Sequence, residues 1–300
     1  MSDTKKKSCV LALGFFDGVH LGHAALLRRT VDRARELGIA PAVITFDTHP
    51  DTLVQGKPVP LINSAPDRAF LIRQLFGIDL VEFFHFTEET MHMPWEEFLD
   101  NICAELGAVH FVVGYDFRFG WRGQGNGERL QEYCARHGLG CDIIRQVTLD
   151  GITVSSTYIR TLIADGNMAE AARYMGHPHF LSDVVHQGHR LGRRLGAPTV
   201  NMQFPPGVLV PRHGVYASRI RTPDGEYTAV TNVGVRPTVS QGETVSVESH
   251  LLERDLQLYG RECRVEFLQM LRPERTFPNL EALRNQIGLD TAAARTYWGL

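Results

Sequence analysis

The 300-residue chain has no apolar run approaching the roughly 18 residues that cross a membrane as a helix, so no membrane span is expected. It also lacks an excess of either charge. Thirty-one Lys and Arg against 34 Asp and Glu leave a formal net charge of −3, no basic field for nucleic acid, and metabolites as the expected partners. Cysteine is sparse and unpatterned: Cys9, Cys103, Cys134, Cys141 and Cys263 form no CxxC pair and no zinc-ligand spacing, which reads as reduced thiols in the cytoplasm. Lys5-Lys6-Lys7-Ser8 before an apolar stretch imitates a secretory leader, but the stretch is short, ends in Asp17-Gly18-Val19-His20 and has no small-residue cleavage site after it. Internal repeats and low-complexity tracts are absent as well. What is present, 43% hydrophobic and 22% charged residues, is ordinary for a globular protein long enough for two domains.

The first part of the chain alternates. Apolar runs at 9–13, 42–46, 80–84, 110–113 and 141–147 read as strands. Between them lie a helical stripe of Leu27, Val31 and Ala34 closed by Gly38, a second at 66–76 before Gly77, and a third from Pro94 to a stop at Gly107. A fourth covers 128–136 before Gly138. This alternation predicts a parallel sheet covered on both faces, with ligands at the C-terminal strand ends. After Gly176-His177-Pro178 prolines and glycines crowd together, and alternating segments at 214–221, 227–233, 244–252 and 262–271 predict an antiparallel sandwich or small barrel, followed by a helix at 280–298. Two domains are expected, residues 1–178 and 179–300.

The first expected strand hands over to a helix through Gly14-Phe15-Phe16-Asp17-Gly18-Val19-His20-Leu21-Gly22-His23. A helix N-terminus offers unpaired N–H groups and the positive end of the peptide dipoles, which attract an anion. The glycines allow close approach to a phosphate, and two imidazoles can donate hydrogen bonds to charge building on its oxygens. Three other stretches follow strands on the same sheet edge: 45–50, 113–120 and Ser155-Ser156-Thr157-Tyr158-Ile159-Arg160. They supply hydroxyls and an arginine without a nucleophile or metal cage, a set suited to direct adenylyl or phosphoryl transfer. The hydroxyl run also fits a plain helix cap, and Arg160 a solvated surface position.

Residues 14–23, with 113–120 and 155–160, resemble the adenylyltransferase module of the bacterial bifunctional riboflavin kinase/FAD synthetases, a Rossmann-like member of the His-x-Gly-His nucleotidylyltransferases. The resemblance implies that His20 and His23 contact ATP phosphates and stabilise the transition state, and that Gly14, Phe16, Asp17, Gly18 and Gly114 belong to the nucleotide site. By the same resemblance Asp116 serves nucleotide and flavin, while Ser155, Ser156, Thr157 and Arg160 hold the leaving pyrophosphate. The FMN phosphate would attack the ATP α-phosphorus in line with Mg²⁺ assisting. Thr48 stands where many relatives have proline.

In the second half a glycine-rich loop with Gly188, Gly192 and Gly196 ends in Thr199-Val200-Asn201. In an extended chain Thr199 and Asn201 share a face, and a hydroxyl with an amide oxygen suits Mg²⁺; a twisted loop with a turn-forming Asn fits equally. Alternation through Val245-Ser246-Val247-Glu248-Ser249-His250-Leu251 sets Val245, Val247 and Leu251 on the apolar face and Glu248 with Ser246 and His250 on the other. Glu248 there is a general base for a substrate hydroxyl or an ordinary solvent-facing carboxylate. This half resembles the riboflavin kinase module, a small antiparallel barrel with a Pro-Thr-x-Asn motif; residues 232–238, 255–260 and 271–274 continue the match. It implies that Thr199 and Asn201 bind Mg²⁺–ATP, that the glycine-rich loop serves the nucleotide, that Glu248 deprotonates the ribityl 5′-hydroxyl and that Arg272 lies near the flavin. Asp183, His189, Ala197 and Val200 depart from the pattern. The expected chain makes FMN from riboflavin and ATP, and FAD from FMN and ATP. The alternative is an FAD synthetase whose barrel only binds flavin or regulates. Neither partner chain nor oligomeric state is legible.

Overall fold

The computed structural model describes residues 8–49, 52, 56, 58–85, 87–187, 199–237, 243–254 and 256–300. The chain divides into two compact units at Ser155/Ser156.

The first unit is built on β1 (Cys9–Leu13), β2 (Ala40–Phe46), β3 (Leu80–Phe84), β4 (Ala108–Gly114) and β5 (Gly140–Ile144), all parallel, in the order β3-β2-β1-β4-β5. Every residue of β1 is buried, as a central parallel strand requires. Leu11 and Leu13 join Phe111 and Val113 in one cluster with Phe98, Leu99 and Ile102 of α4 (Trp95–Leu106) and Leu130 and Tyr133 of α5 (Gly127–His137). Val10 and Ala12 alternate to the other face, where α1 (Leu21–Leu37) packs on β1, β2 and β4. Between β2 and β4 lie α2 (Ala65–Phe76), capped by the Ser64 hydroxyl, and the single-turn α3 (Glu88–Met91). The glycines expected to close helices, at 38, 77, 107 and 138, are all left-handed C-caps. Chain order reverses between β1 and β4, so the crevice beyond their C-terminal ends is where such a sheet takes a ligand. A short hairpin, β6 (Thr148–Leu149) and β7 (Ile152–Thr153), ends this unit.

The second unit opens with α6 (Ser156–Ala164) and α7 (Met168–Met175). Its antiparallel sheet comprises β8 (His179–Val184), β9 (Thr199–Met202), β10 (Gly214–Thr222), β11 (Gly225–Pro237), β12 (Glu243–Leu251) and β13 (Glu262–Pro273), in the order β8-β13-β10-β11-β12-β9. The sheet curls until His186, just past β8, bridges Asn201 of β9 with an N–H···O bond of 2.9 Å, joining its two edges. Tyr216, Ile220, Ala229, Val233, Val247 and Phe267 fill the inside. Three buried hydroxyls cross it in a chain: Ser218 to Thr231 at 2.6 Å and Thr231 to Ser249 at 2.8 Å. On the outer face α8 (Leu280–Trp298) packs Ala294 and Trp298 against Val215, Val230, Leu252 and Leu271.

Candidate active sites

In the first unit, His20 ends the turn after β1 and is the N-cap of α1; its Nδ1 accepts the His23 N–H at 3.2 Å. With Nδ1 accepting, a neutral His20 carries its proton on Nε2. The His23 ring stacks on His20 with centroids 3.6 Å apart and planes 11° from parallel, and meets the Phe16 ring edge-on at 5.3 Å. Burial, then His20, then Arg68, hold the His23 imidazole well below its ordinary titration range. His23 thus stands at a helix N-terminus as a neutral imidazole.

The turn that carries them is tightly held. Phe16 and Val19 have positive φ of 55° and 40°, unusual for side chains with a Cβ and strained for a β-branched one. Gly18, at φ 79°, lies against Ile62, whose Cδ1 would be 2.8 Å from an added Cβ. Asp17 is buried beneath the turn, with Oδ1 accepting the Ile62 and Asn63 N–H groups at 2.9 and 3.3 Å. Phe16 is fully buried too, and Gly14 is buried just past the end of β1. Gly14 donates to Ile44 O of β2 at 3.3 Å. Across the switch point Gly114 ends β4, and the exposed Asp116 brings Oδ1 back to 3.2 Å from where a Gly114 Cβ would stand. Ser155 closes this unit, whereas Ser156, Thr157 and Arg160 lie on α6 of the other.

Sequence reasoning passed over Arg68. It has no exposed surface, and its Nη1 lies 2.9 Å from Phe15 O, 2.8 Å from Thr45 Oγ1 and 2.8 Å from Phe46 O. Burial pulls its pKa down to about 10, with Asp17 and Asp47 acting in the opposite direction.

In the second unit, register brings the expected residues into one row on the outer face of the sheet. Asn201 of β9 is opposite Glu248 of β12, Glu248 opposite Asn232 of β11, Asn232 opposite Val215 of β10, and Val215 opposite Arg272 of β13. Thr199 and Asn201 share that face and touch, Asn201 Nδ2 lying 3.4 Å from Thr199 Oγ1, while Val200 and Met202 point inward. Asn201 Nδ2 also donates to Thr199 O at 3.2 Å; the Thr199 hydroxyl, the Asn201 amide oxygen and Glu248, next in the row, are oxygen ligands of the kind that suits Mg²⁺. Glu248 is flanked by buried Val247 and Ser249, whereas Ser246, expected on the polar face with Glu248 and His250, is itself buried. Arg272 is engaged elsewhere: Nε and Nη2 form a fork on the Asp290 carboxylate of α8 at 2.8 and 2.7 Å. Asn232, which opens a segment that continues the match, was assigned no role from sequence; its place in the row comes from the pairing of β11 with β12. Gly188, Gly192, Gly196, His189 and Ala197 lie outside the described residues.

Comparison with known proteins accords with both halves. A family model described as FAD synthetase matches residues 2–158, and one described as riboflavin kinase matches 175–298. A bifunctional riboflavin kinase/FMN adenylyltransferase of Pseudomonas fluorescens is 37% identical over 295 residues, covering 96% of this chain and 93% of that one. Proteins of the same name from Listeria monocytogenes and Escherichia coli K12 are each 32% identical, covering 96% and 100% of this chain and 92% and 96% of theirs. A crystal structure titled macrolide-efflux protein from Streptococcus pneumoniae superposes with a TM-score of 0.84 at 26% identity, over 96% of this chain and 94% of that one. This chain belongs to the family of bifunctional riboflavin kinases/FMN adenylyltransferases.

Proposed function

We propose that this protein makes FAD from riboflavin in two ATP-dependent steps, one in each half. The observation that carries the reading is the pairing of a His-x-Gly-His turn at the switch point of a parallel sheet with a curled sheet bearing Thr199, Asn201 and Glu248 in adjoining positions. Both family matches support it. A functional boundary near residue 178 is consistent with a kinase match that begins at 175. ATP as co-substrate and five unpaired thiols support a cytoplasmic enzyme.

In adenylylation the FMN phosphate oxygen attacks the ATP α-phosphorus and the bond to pyrophosphate breaks. Little covalent work falls to the protein; positioning and charge stabilisation carry the step. His20 donates from Nε2, His23 from the ring stacked on it, and the first N–H groups of α1 meet the remaining phosphate charge. Gly114 and Asp116 bound the other side of the crevice. In phosphorylation Glu248 takes the proton of the riboflavin 5′-hydroxyl as its oxygen attacks the γ-phosphorus, releasing ADP. Thr199 and Asn201 would hold Mg²⁺, whose chemistry is to offset phosphate charge.

Incubating the protein with riboflavin, Mg²⁺ and ATP and separating the flavins should yield FMN and FAD. FAD formed only from supplied FMN would remove the kinase half, and bound flavin without product would leave a binding module. Glu248→Gln should stop FMN formation and spare conversion of FMN to FAD. Loss of both activities in folded Glu248→Gln would contradict separate sites.

A further inference from the structure

Arg68 is a buried cation without a carboxylate in hydrogen-bond contact among the described residues. Its Nη1 meets Phe15 O, Thr45 Oγ1 and Phe46 O, and the Thr45 hydroxyl itself donates to Phe15 O at 2.7 Å. Its guanidinium lies over the Phe15 ring, 4.4 Å from the centroid. Nε and Nη2 are buried and have no hydrogen-bond partner among the described residues. A core could do without so costly a group, since an apolar side chain of similar volume fills space without desolvating charge. What the guanidinium does that no apolar side chain can is hold two carbonyls, one after β1 and one at the end of β2.

Those carbonyls bound the catalytic turn. Phe15 is followed by the left-handed Phe16, whose ring supports His23, and three residues later by the left-handed Val19 before His20. Strained backbone of this kind persists only where its surroundings over-determine it. Asp17 secures the middle of the turn through the Ile62 and Asn63 N–H groups. Arg68 secures its start.

We propose that Arg68 is a positioning residue for FMN adenylylation: by gripping the Phe15 and Phe46 carbonyls it sets the strained turn on which His20 and His23 are presented. The assignment rests on the adenylyl-transfer reading of that turn. The same buried charge opposes protonation of His23, alongside the stacked His20, while Asp17 in the turn and Asp47 at the end of β2 act on Arg68. Arg68 therefore influences both where the imidazole stands and which form it takes.

Two variants separate grip from charge. Arg68→Met loses both; Arg68→Lys keeps the charge on a side chain one bond shorter than the reach of Nη1, the nitrogen that meets both carbonyls. Rates of FMN-to-FAD conversion are measured beside riboflavin phosphorylation in the same sample, and His23 is titrated by NMR with His23→Gln to assign its signal. Arg68→Met should lower kcat for FAD formation by about 100-fold, the scale of a small misplacement of reacting groups, with phosphorylation unchanged. Its His23 pKa should rise. Arg68→Lys should lose about tenfold in kcat with His23 still titrating low. Wild-type kcat and an unmoved His23 titration in Arg68→Met would overturn the proposal. So would an Arg68→Met that unfolds beside an Arg68→Lys of wild-type rate, since that pattern belongs to a core cation alone. If the wild-type protein makes no FAD, the adenylyl-transfer reading fails instead, and the His23 titration still decides what Arg68 does.

Discussion

At position 22 a methyl group would stand 3.0 Å from Cε1 and 3.1 Å from Nδ1 of His20. That ring folds back over the start of α1 so that Nδ1 can accept the His23 N–H, and Gly22 is what leaves it room. Helix propensity argues for alanine here, which would favour α1 by up to about 1 kcal/mol. The steric need and the propensity therefore oppose each other, and their separation is measurable. Gly22→Ala should melt no lower than wild type while its kcat for FAD formation falls by about 100-fold, because the His20 ring is pushed off its cap. Wild-type FAD synthesis by Gly22→Ala would mean that His20 works from another rotamer. The histidines and their glycine were readable because they stand together in ten consecutive residues. Arg68 was not: at the start of a helical pattern it looks like a solvated side chain. Its partners are distant in sequence, with Phe46 22 positions and Phe15 53 positions away.

Among elements, long and well-punctuated ones were the legible ones. Helices α1, α2, α4 and α5 carry apolar stripes and end on glycine, and α8 has the bounds its pattern implies, Leu280–Trp298. Strands β8 and β9 were not singled out. Four-residue β9 is set by pairing with β12 and by the His186 bridge, and neither leaves a local pattern. The hydroxyls of Ser218, Thr231 and Ser249, polar residues within the strands, satisfy one another inside the barrel. Arg272, placed near the flavin only by resemblance, has a structural role not legible in the sequence: its fork on Asp290 ties α8 to β13, and Gln286 Nε2 adds a bond of 2.6 Å to the same carboxylate. With Asp290 9% and Arg272 19% exposed at the side chain, cutting the pair strands a largely buried guanidinium. Asp290→Ala should therefore cost the second unit about 3 kcal/mol. Hydrogen exchange read by mass spectrometry should speed up over residues 280–298. Unchanged exchange there would mean that the apolar contacts of Ala294 and Trp298 hold α8 without the ion pair.

For the whole molecule, acid is the informative stress, because each unit buries a histidine with a depressed pKa. In the first unit this is His23. In the second, His179 on β8 has no exposed surface, lies beside Phe267 with ring centroids 5.9 Å apart, and is driven down to about 3 by burial, with His177 adding to the effect. Neither of its ring nitrogens has a hydrogen-bond partner among the described residues. An unfolded chain binds a proton at each site below the ordinary histidine pKa of 6.5, and the folded chain does not. Protons bound by the unfolded state exceed those bound by the folded one, so stability rises with pH and falls as pH drops through about 6.5; for His179 the fall continues toward 3. Asp142 adds a separate loss at lower pH. Desolvation alone would raise its pKa, but hydrogen bonds from Arg29, Arg33 and His110 hold it at about 2, below its ordinary 3.8, and that stabilisation disappears as the carboxylate protonates. Burial lowers the pKa of His110 in the first unit as well, so His179→Leu removes one of three histidine contributions without leaving a large cavity. Unfolding free energies measured in urea from pH 7.5 to 5 should then depend less on pH than in wild type, by up to about 1.4 kcal/mol per unit once pH is well below the histidine range. The variant's curve should meet or cross the wild-type curve on the acid side. Parallel curves would show that His179 takes up its proton in the folded protein, and the second unit would then have to house a charged imidazole against Phe267.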